Sequence, residues 1–320
     1  LEDYEKAIEY YEQALRLNLL FNDKLGEEIC LGELGARVYA PAGDYHKAKE
    51  CHEQALRISS QIKDKVGEAS NLGDLGHVCS FLGDYEGAIR YLEQGLSICR
   101  TIGHKALETD QLRFLGTAYL NIGEIEKAGR CYLKALDISR EVSDGKSIGS
   151  ALNNLANFHL TLGDLEKGEE YLRQALEVSE KTGTRSSLGR LLGGFAVAYA
   201  EMGKHQRARE FLEQALRISR ETSDIQAESN WLGQLGNVQR LTGDLKKAIE
   251  FHEQALAMSL KIGNTLGQMT QLVSLGIDYR LLGEYLKARD KYLEASEIAK
   301  TIGNVDVHRI ALTDLGILYA

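Results

Sequence analysis

The sequence predicts an all-α fold, an α-α superhelical solenoid of about sixteen helices stacked as pairs, and three observations carry that reading. A glycine recurs every 40 residues; apolar residues between glycines recur at spacings of three and four; and the 320 residues contain one proline. A fixed period of this length marks a repeat architecture, in which each unit buries its apolar faces only against its neighbours. Proline breaks helix interiors, so its scarcity leaves room for helices throughout.

The glycines Gly43, Gly83, Gly123, Gly163, Gly203, Gly243 and Gly283 set the period, and an acidic residue follows each except Gly203, which precedes Lys204. A second series, Ala55, Gly95, Ala135, Ala175, Ala215, Ala255 and Ala295, keeps the same spacing. Ala14 precedes Ala55 by 41, and the extra residue is assigned to a lengthened turn, Tyr39 to Gly43, which also holds Pro41. Within residues 65–102, Leu72, Leu75, Cys79 and Leu82 form one apolar stripe, and Ala88, Ile89, Leu92, Leu96 and Cys99 another, so each repeat is two amphipathic helices. Gly83 suits a left-handed residue ending the first helix, and Asp84 suits the N-cap of the second. A further punctuation closes each repeat, as at Lys63-Asp64, Ile102-Gly103, Ser143-Asp144 and Ile302-Gly303-Asn304.

On this frame residues 1–23 are a lone second helix, seven full repeats span 24–63, 64–103, 104–143, 144–183, 184–223, 224–263 and 264–303, and residues 304–320 are a lone first helix. The whole reads as one solenoid segment cut from a longer array, with unpaired end faces expected to associate head to tail. Small residues at Ala48, Ala88, Ala128, Gly168, Ala208, Ala248 and Ala288 are expected where the two helices of a repeat cross. Tyr119, Tyr199, Tyr279 and Tyr319, Tyr45, Tyr85 and Tyr285, and also His52 and His252, are read as packing residues.

A formal charge of -9 has the wrong sign for neutralising phosphates, so nucleic acid is not an expected partner. No apolar run is long enough for a membrane span, and a cytoplasmic location is expected. Five isolated cysteines, Cys30, Cys51, Cys79, Cys99 and Cys131, read as small hydrophobes in a thiol-keeping compartment. No nucleophile with a base, phosphate cradle or metal-ligand cluster stands out from the repeat, so neither catalysis nor a cofactor is expected.

Leu72, Leu75, Gly76, Ala88, Leu92 and Gly95, with Leu112, Leu115, Gly116, Tyr119, Ala128, Tyr132 and Ala135, resemble the tetratricopeptide repeat (TPR) pattern along the whole chain. Leu stands where that pattern has Trp, and its terminal Pro is missing, which lets the second helix run on to a 40-residue unit. The long form, with Leu-Gly-x-Leu-Gly at Leu72 and Leu232, is similar to the repeats of Pins/LGN-type spindle-orientation scaffolds; sensor arms of signalling ATPases and kinesin light chains also carry long repeats.

The resemblance implies a non-enzymatic scaffold that binds an extended peptide segment in a concave groove lined by first helices; the alternatives are the ligand-sensing arm of a signalling ATPase or a passive spacer. The groove residues it implies are Arg113, Asn153, Asn157, Arg190, Asn230, Asn237, Arg240 and Arg280. Glycine at Gly32, Gly73, Gly193 and Gly233 is expected to let a partner's backbone approach. The arginines are expected to favour an acidic or polar segment, with Arg240 held only loosely by Asp244 and Arg280 by Glu284 across the turn.

Overall fold

The computed structural model describes residues 4–182, 186–301 and 304–319, and among these it contains sixteen α-helices and no strand. The helices form two compact bodies, Leu1–His159 with Lys167–Thr182 and Leu160–Glu166 with Gly183–Ala320. In the first, α1 (Tyr4–Leu20), α2 (Lys24–Leu34), α3 (Tyr45–Ile62), α4 (Lys65–Phe81), α5 (Tyr85–Ile102), α6 (Lys105–Asn121) and α7 (Ile125–Glu141) pack in succession, followed by α8 (Gly145–Thr161) and α9 (Leu165–Thr182). In the second, α10 (Ser186–Glu201), α11 (His205–Glu221), α12 (Ile225–Leu241), α13 (Leu245–Lys261), α14 (Thr265–Leu281), α15 (Tyr285–Thr301) and α16 (Val305–Tyr319) do the same. First helices also touch first helices across repeats: α2 with α4, α4 with α6, α10 with α12, α12 with α14 and α14 with α16.

The punctuation works as the residue types require. Gly83 has φ +79° and Gly243 φ +87°, the left-handed conformation that ends the first helix without a Cβ penalty. Asp84 then accepts from the Gly87 amide at 2.9 Å, and Asp244 from the Lys247 amide at 3.3 Å. Between repeats the left-handed position is taken by Lys63, Ser143 and Ser223 as well as by Gly103 and Gly263. The turns expected at Gly183 and Ile302-Gly303, and the side chain of Tyr319, lie outside the described residues.

The extra residue of the first full repeat does not lengthen the turn. Asp44 N–H donates to Tyr39 O at 2.9 Å, the same closing bond that Asp84 makes to Cys79 O at 2.9 Å. The insertion is absorbed inside the helix, where Gly35–Tyr39 forms a π-helical turn and the Ala40 amide reaches back to Gly35 O at 3.0 Å. Such one-residue bulges spread the helix and re-aim the side chains on either side.

The small-residue series lies in the core: Ala48, Ala88, Ala128, Ala208, Ala248 and Ala288 are fully buried. The two glycines of Leu-Gly-x-Leu-Gly do different jobs. The second receives a large side chain from its own repeat's second helix: a Cβ on Gly76 would run into Leu92, on Gly116 into Tyr132 at 2.7 Å, and on Gly236 into His252 at 2.5 Å. The first receives a side chain from the next repeat's first helix: a Cβ on Gly73 would come 2.6 Å from Gln111, on Gly233 2.7 Å from Gln271, and on Gly193 into the Trp231 ring. At Gly73, Gly193 and Gly233 the room predicted for a partner's backbone is therefore already filled by the chain itself, whereas at Gly32 a Cβ would make only an ordinary contact with Asn71. Of the tyrosines, Tyr199 and Tyr279 are buried as expected, and Tyr119 donates to Glu93 at 2.8 Å, but Tyr285 is 60 % exposed and is no core residue.

Candidate functional site

The groove positions lie on the first helices α6, α8, α10, α12 and α14, and the structure sorts them into engaged and available groups. In the C-terminal body Arg240 is engaged. Its Nη1 lies 3.0 Å from Asp278 Oδ1 and 3.3 Å from Ser274 O, and its Nη2 donates to Asn237 Oδ1. Asp278, with no exposed surface, also takes His252 Nδ1 at 2.6 Å, and His252 Nε2 reaches Gly233 O at 3.1 Å. The expected Arg240–Asp244 pair does not form, because Asp244 turns to cap its own helix and pairs with Lys247 at 2.7 Å. Glu284 likewise pairs with Lys287 at 2.6 Å instead of Arg280. An isolated cationic groove is thus not what these residues make: a buried carboxylate on the next first helix neutralises Arg240.

Arg280 is half-buried, its Nε has no hydrogen-bond partner, and its charge opposes the rise that burial imposes on the pKa of Tyr292 and Asp314. Arg190 is exposed, and the exposed Asn230 accepts from Gln226 at 3.2 Å. In the N-terminal body Arg113 pairs with Asp110 at 2.5 Å and lies over the Phe114 ring, leaving its Nε buried without a partner. Asn153 holds a buried Oδ1 with no partner, whereas Asn157 is engaged within the chain.

Sequence reasoning missed a second cluster beside the π-helical turn. Here the turn and the residues after it, α3 and α4 line a partly open cavity of about 380 Å³ formed by Ala36, Ala40, Pro41, Tyr45, His52, Asp74, His77, Val78 and Phe81. Tyr45 and Phe81 stack at 4.7 Å, and His77 stacks on Phe114 at 4.3 Å. Burial, with Asp110 and Glu33 adding to it, pushes the Asp74 carboxyl up to about 7. Burial, with Arg113 and His52 adding to it, pushes His77 down to about 4, and burial also lowers His52. The available signal was the coincidence of the inserted residue and Pro41 with two histidines and an aspartate within one repeat spacing.

The five cysteines are free, and burial pushes the thiols of Cys51 and Cys99 up to about 11, away from nucleophilic chemistry. Among the described residues no group of three or more His, Cys, Asp or Glu could hold a metal ion, and no helix is long and apolar enough to cross a membrane.

Models described as tetratricopeptide repeat match residues 36–101 and 147–221, residues 232–264, and residues 1–19 and 114–142, together more than half of the chain. No curated protein sequence matches. Among solved structures, a signal transduction ATPase with numerous domains from Pyrococcus horikoshii, carrying a tetratricopeptide repeat sensor, superposes with TM-score 0.71 at 17 % identity over 97 % of this chain and 48 % of that one. BtubC from P. vanneervenii gives TM-score 0.60 at 20 % identity over 68 % of this chain and 92 % of that one. Aspartyl phosphate phosphatase F from Bacillus subtilis gives 0.62 at 15 % identity, covering 89 % and 73 %.

Proposed function

Because the chain belongs to the tetratricopeptide repeat family, we propose that it is a non-enzymatic protein–protein interaction scaffold whose first helices bind an extended segment of a partner protein. One observation carries this reading. Buried polar atoms at groove positions, Arg113 Nε, Asn153 Oδ1 and Arg280 Nε, have no hydrogen-bond partner in the chain. A buried polar group left unmatched costs about 1 to 3 kcal/mol, so a peptide's amides, carbonyls and side chains gain by completing these atoms. Together with the exposed Arg190, they favour an acidic or polar segment.

The test is capture of a partner by the 320-residue protein and by Asn153→Ala with Arg190→Glu. The double variant should lose at least about tenfold in affinity, while its stability stays within about 1 kcal/mol because one site is exposed and the other already unmatched. Undiminished capture sinks the groove assignment. Arg240→Glu is unsuitable here, since it would set a second carboxylate against Asp278.

The second reading, a ligand-sensing arm of a signalling ATPase, has the fold likeness over 97 % of this chain in its favour. It predicts compaction on effector binding, measurable by small-angle scattering. The Leu-Gly-x-Leu-Gly runs at Leu72 and Leu232 support a Pins/LGN-type relationship. Exposed Leu20 and Phe21 on the α1 side and Val305 and Ile317 on α16 support head-to-tail self-association, which a concentration series in sedimentation velocity checks.

A further inference from the structure

The cavity beside the π-helical turn has three properties that together specify an occupant. The first is an unmet imidazole. His52 is fully buried on α3, neither ring nitrogen meets hydrogen-bond geometry although the Asn71 side chain opposes the lowering that burial imposes on its pKa, and Asp74 Oδ2 stands 3.9 Å from Nδ1, beyond hydrogen-bond reach. The second is an unpaired carboxylate. Among the described residues Asp74 has no lysine or arginine within ion-pair distance, for Arg37 is taken by Glu33 and Arg113 by Asp110, and its side chain keeps 37 % of its surface accessible to a ligand. Asp110 and Glu33 add to the negative field at that carboxyl. The third is an aromatic wall, the stacked Tyr45 and Phe81 rings, whose faces attract cations.

The same protein shows how this repeat position is completed when nothing is missing. His252, five repeats from His52, is bound by a carboxylate that is itself bound by the Arg240 guanidinium. Around His52 the imidazole is present, Val78 stands in the place of Asp278 with the carboxylate of Asp74 one turn earlier on α4, and Ala40 stands in the place of Arg240, so there is no guanidinium. At about 380 Å³ the cavity falls within the usual range of ligand pockets and admits one long basic side chain.

We propose that this cavity binds one basic side chain, arginine or lysine, of a bound polypeptide segment, its cation paired with Asp74 against the Tyr45 and Phe81 rings and Asp74 drawn towards His52. The source of the side chain rests on the peptide-binding reading above; the charge preference of the cavity does not.

N-acetyl-arginine amide and N-acetyl-lysine amide are the probes, titrated into the 320-residue protein and read by NMR at the His52 ring and the Val78 methyls, with N-acetyl-glutamate amide and N-acetyl-leucine amide as controls. The cationic probes should saturate with millimolar dissociation constants, the controls should not, and the His252 ring should stay unmoved. Asp74→Asn should weaken the arginine probe at least about tenfold, and Val78→Phe, which fills the cavity, should abolish its binding. Equal saturation by the glutamate or leucine probe, an undiminished affinity in Asp74→Asn, or no saturable shift with either cation would overturn the proposal. The small probes need no partner protein, so these outcomes are independent of whether partner capture succeeds.

Discussion

His52 and His252 occupy one position of the repeat, both fully buried on a second helix and both seated against a glycine of the first, yet their surroundings differ in kind. Around His252 the chain supplies everything: Asp278, Arg240 and the Gly233 carbonyl close a network with no exposed imidazole or carboxylate surface. Around His52 the residue matching Asp278 is Val78, and a cavity stands where the network would be. An imidazole in a repeat is therefore not one structural fact. In one place it cross-links two repeats, and in the other it is left short of a partner beside a carboxylate in the same condition.

The largest expected effect breaks the closed site. Asp278→Ala removes the acceptor shared by Arg240 and His252 and leaves the buried His252 Nδ1 and the Arg240 charge without a carboxylate, although Arg240 keeps Ser274 O and Asn237 and His252 keeps Gly233 O. Breaking a buried ionic network by deleting one member typically costs about 3 to 5 kcal/mol. Urea unfolding should show that loss as a lower midpoint with an unchanged slope; a loss below about 1 kcal/mol would mean that the network is not closed.

A matched substitution separates the two histidines more finely. Leucine is native at this position in Leu92, Leu172 and Leu212, so His→Leu introduces no foreign shape. His252→Leu strands one oxygen of a fully buried carboxylate and should destabilise by about 1 to 3 kcal/mol. His52→Leu removes two unmet ring nitrogens and should be neutral or stabilising by up to about 1 kcal/mol. Equal losses at both positions would erase the distinction.

Most of the fold was legible because it is periodic. Gly83, Asp84 and Ala88 state their conformations by residue type, and at forty-residue spacing the glycine recurs seven times, an acid six times and the alanine six times. The site was less legible, because its chemistry sits where the period is broken. The insertion was visible as a spacing of 41, but glycine and proline near residue 40 pointed to a turn, whereas hydrogen bonding spread the extra residue over Gly35–Tyr39. Asp278 could have been found: its repeat counterparts, Val78, Ala118, Phe158, Ala198 and Val238, are all apolar, and a lone acid in that column needs a buried partner. That Gly73 and Gly233 serve the neighbouring repeat was not readable, since a glycine records that space is needed without saying what fills it.

The smallest effect tests the open site through its protonation. Asp74 in the folded protein takes up its proton at about 7 against an ordinary 3.8. Between about pH 4 and pH 7 the folded state thus holds a proton that the unfolded chain has released. Its contribution to stability is fully present below that window and is lost as pH rises through 7. Asp74→Asn cannot titrate, so it should match the parent protein near pH 4 and become the more stable of the two by pH 8. With 37 % of the side chain exposed, solvent screening holds the gain below about 1 kcal/mol. His77, pushed down to about 4, adds its own slope at the acid end, but it is common to both proteins and cancels from their difference. Thermal midpoints of the pair from pH 4 to pH 8 provide the measurement. A pH-independent difference would mean that Asp74 is an ordinary solvated carboxylate, and the contrast between the open and closed histidine sites would then rest on hydrogen bonding alone.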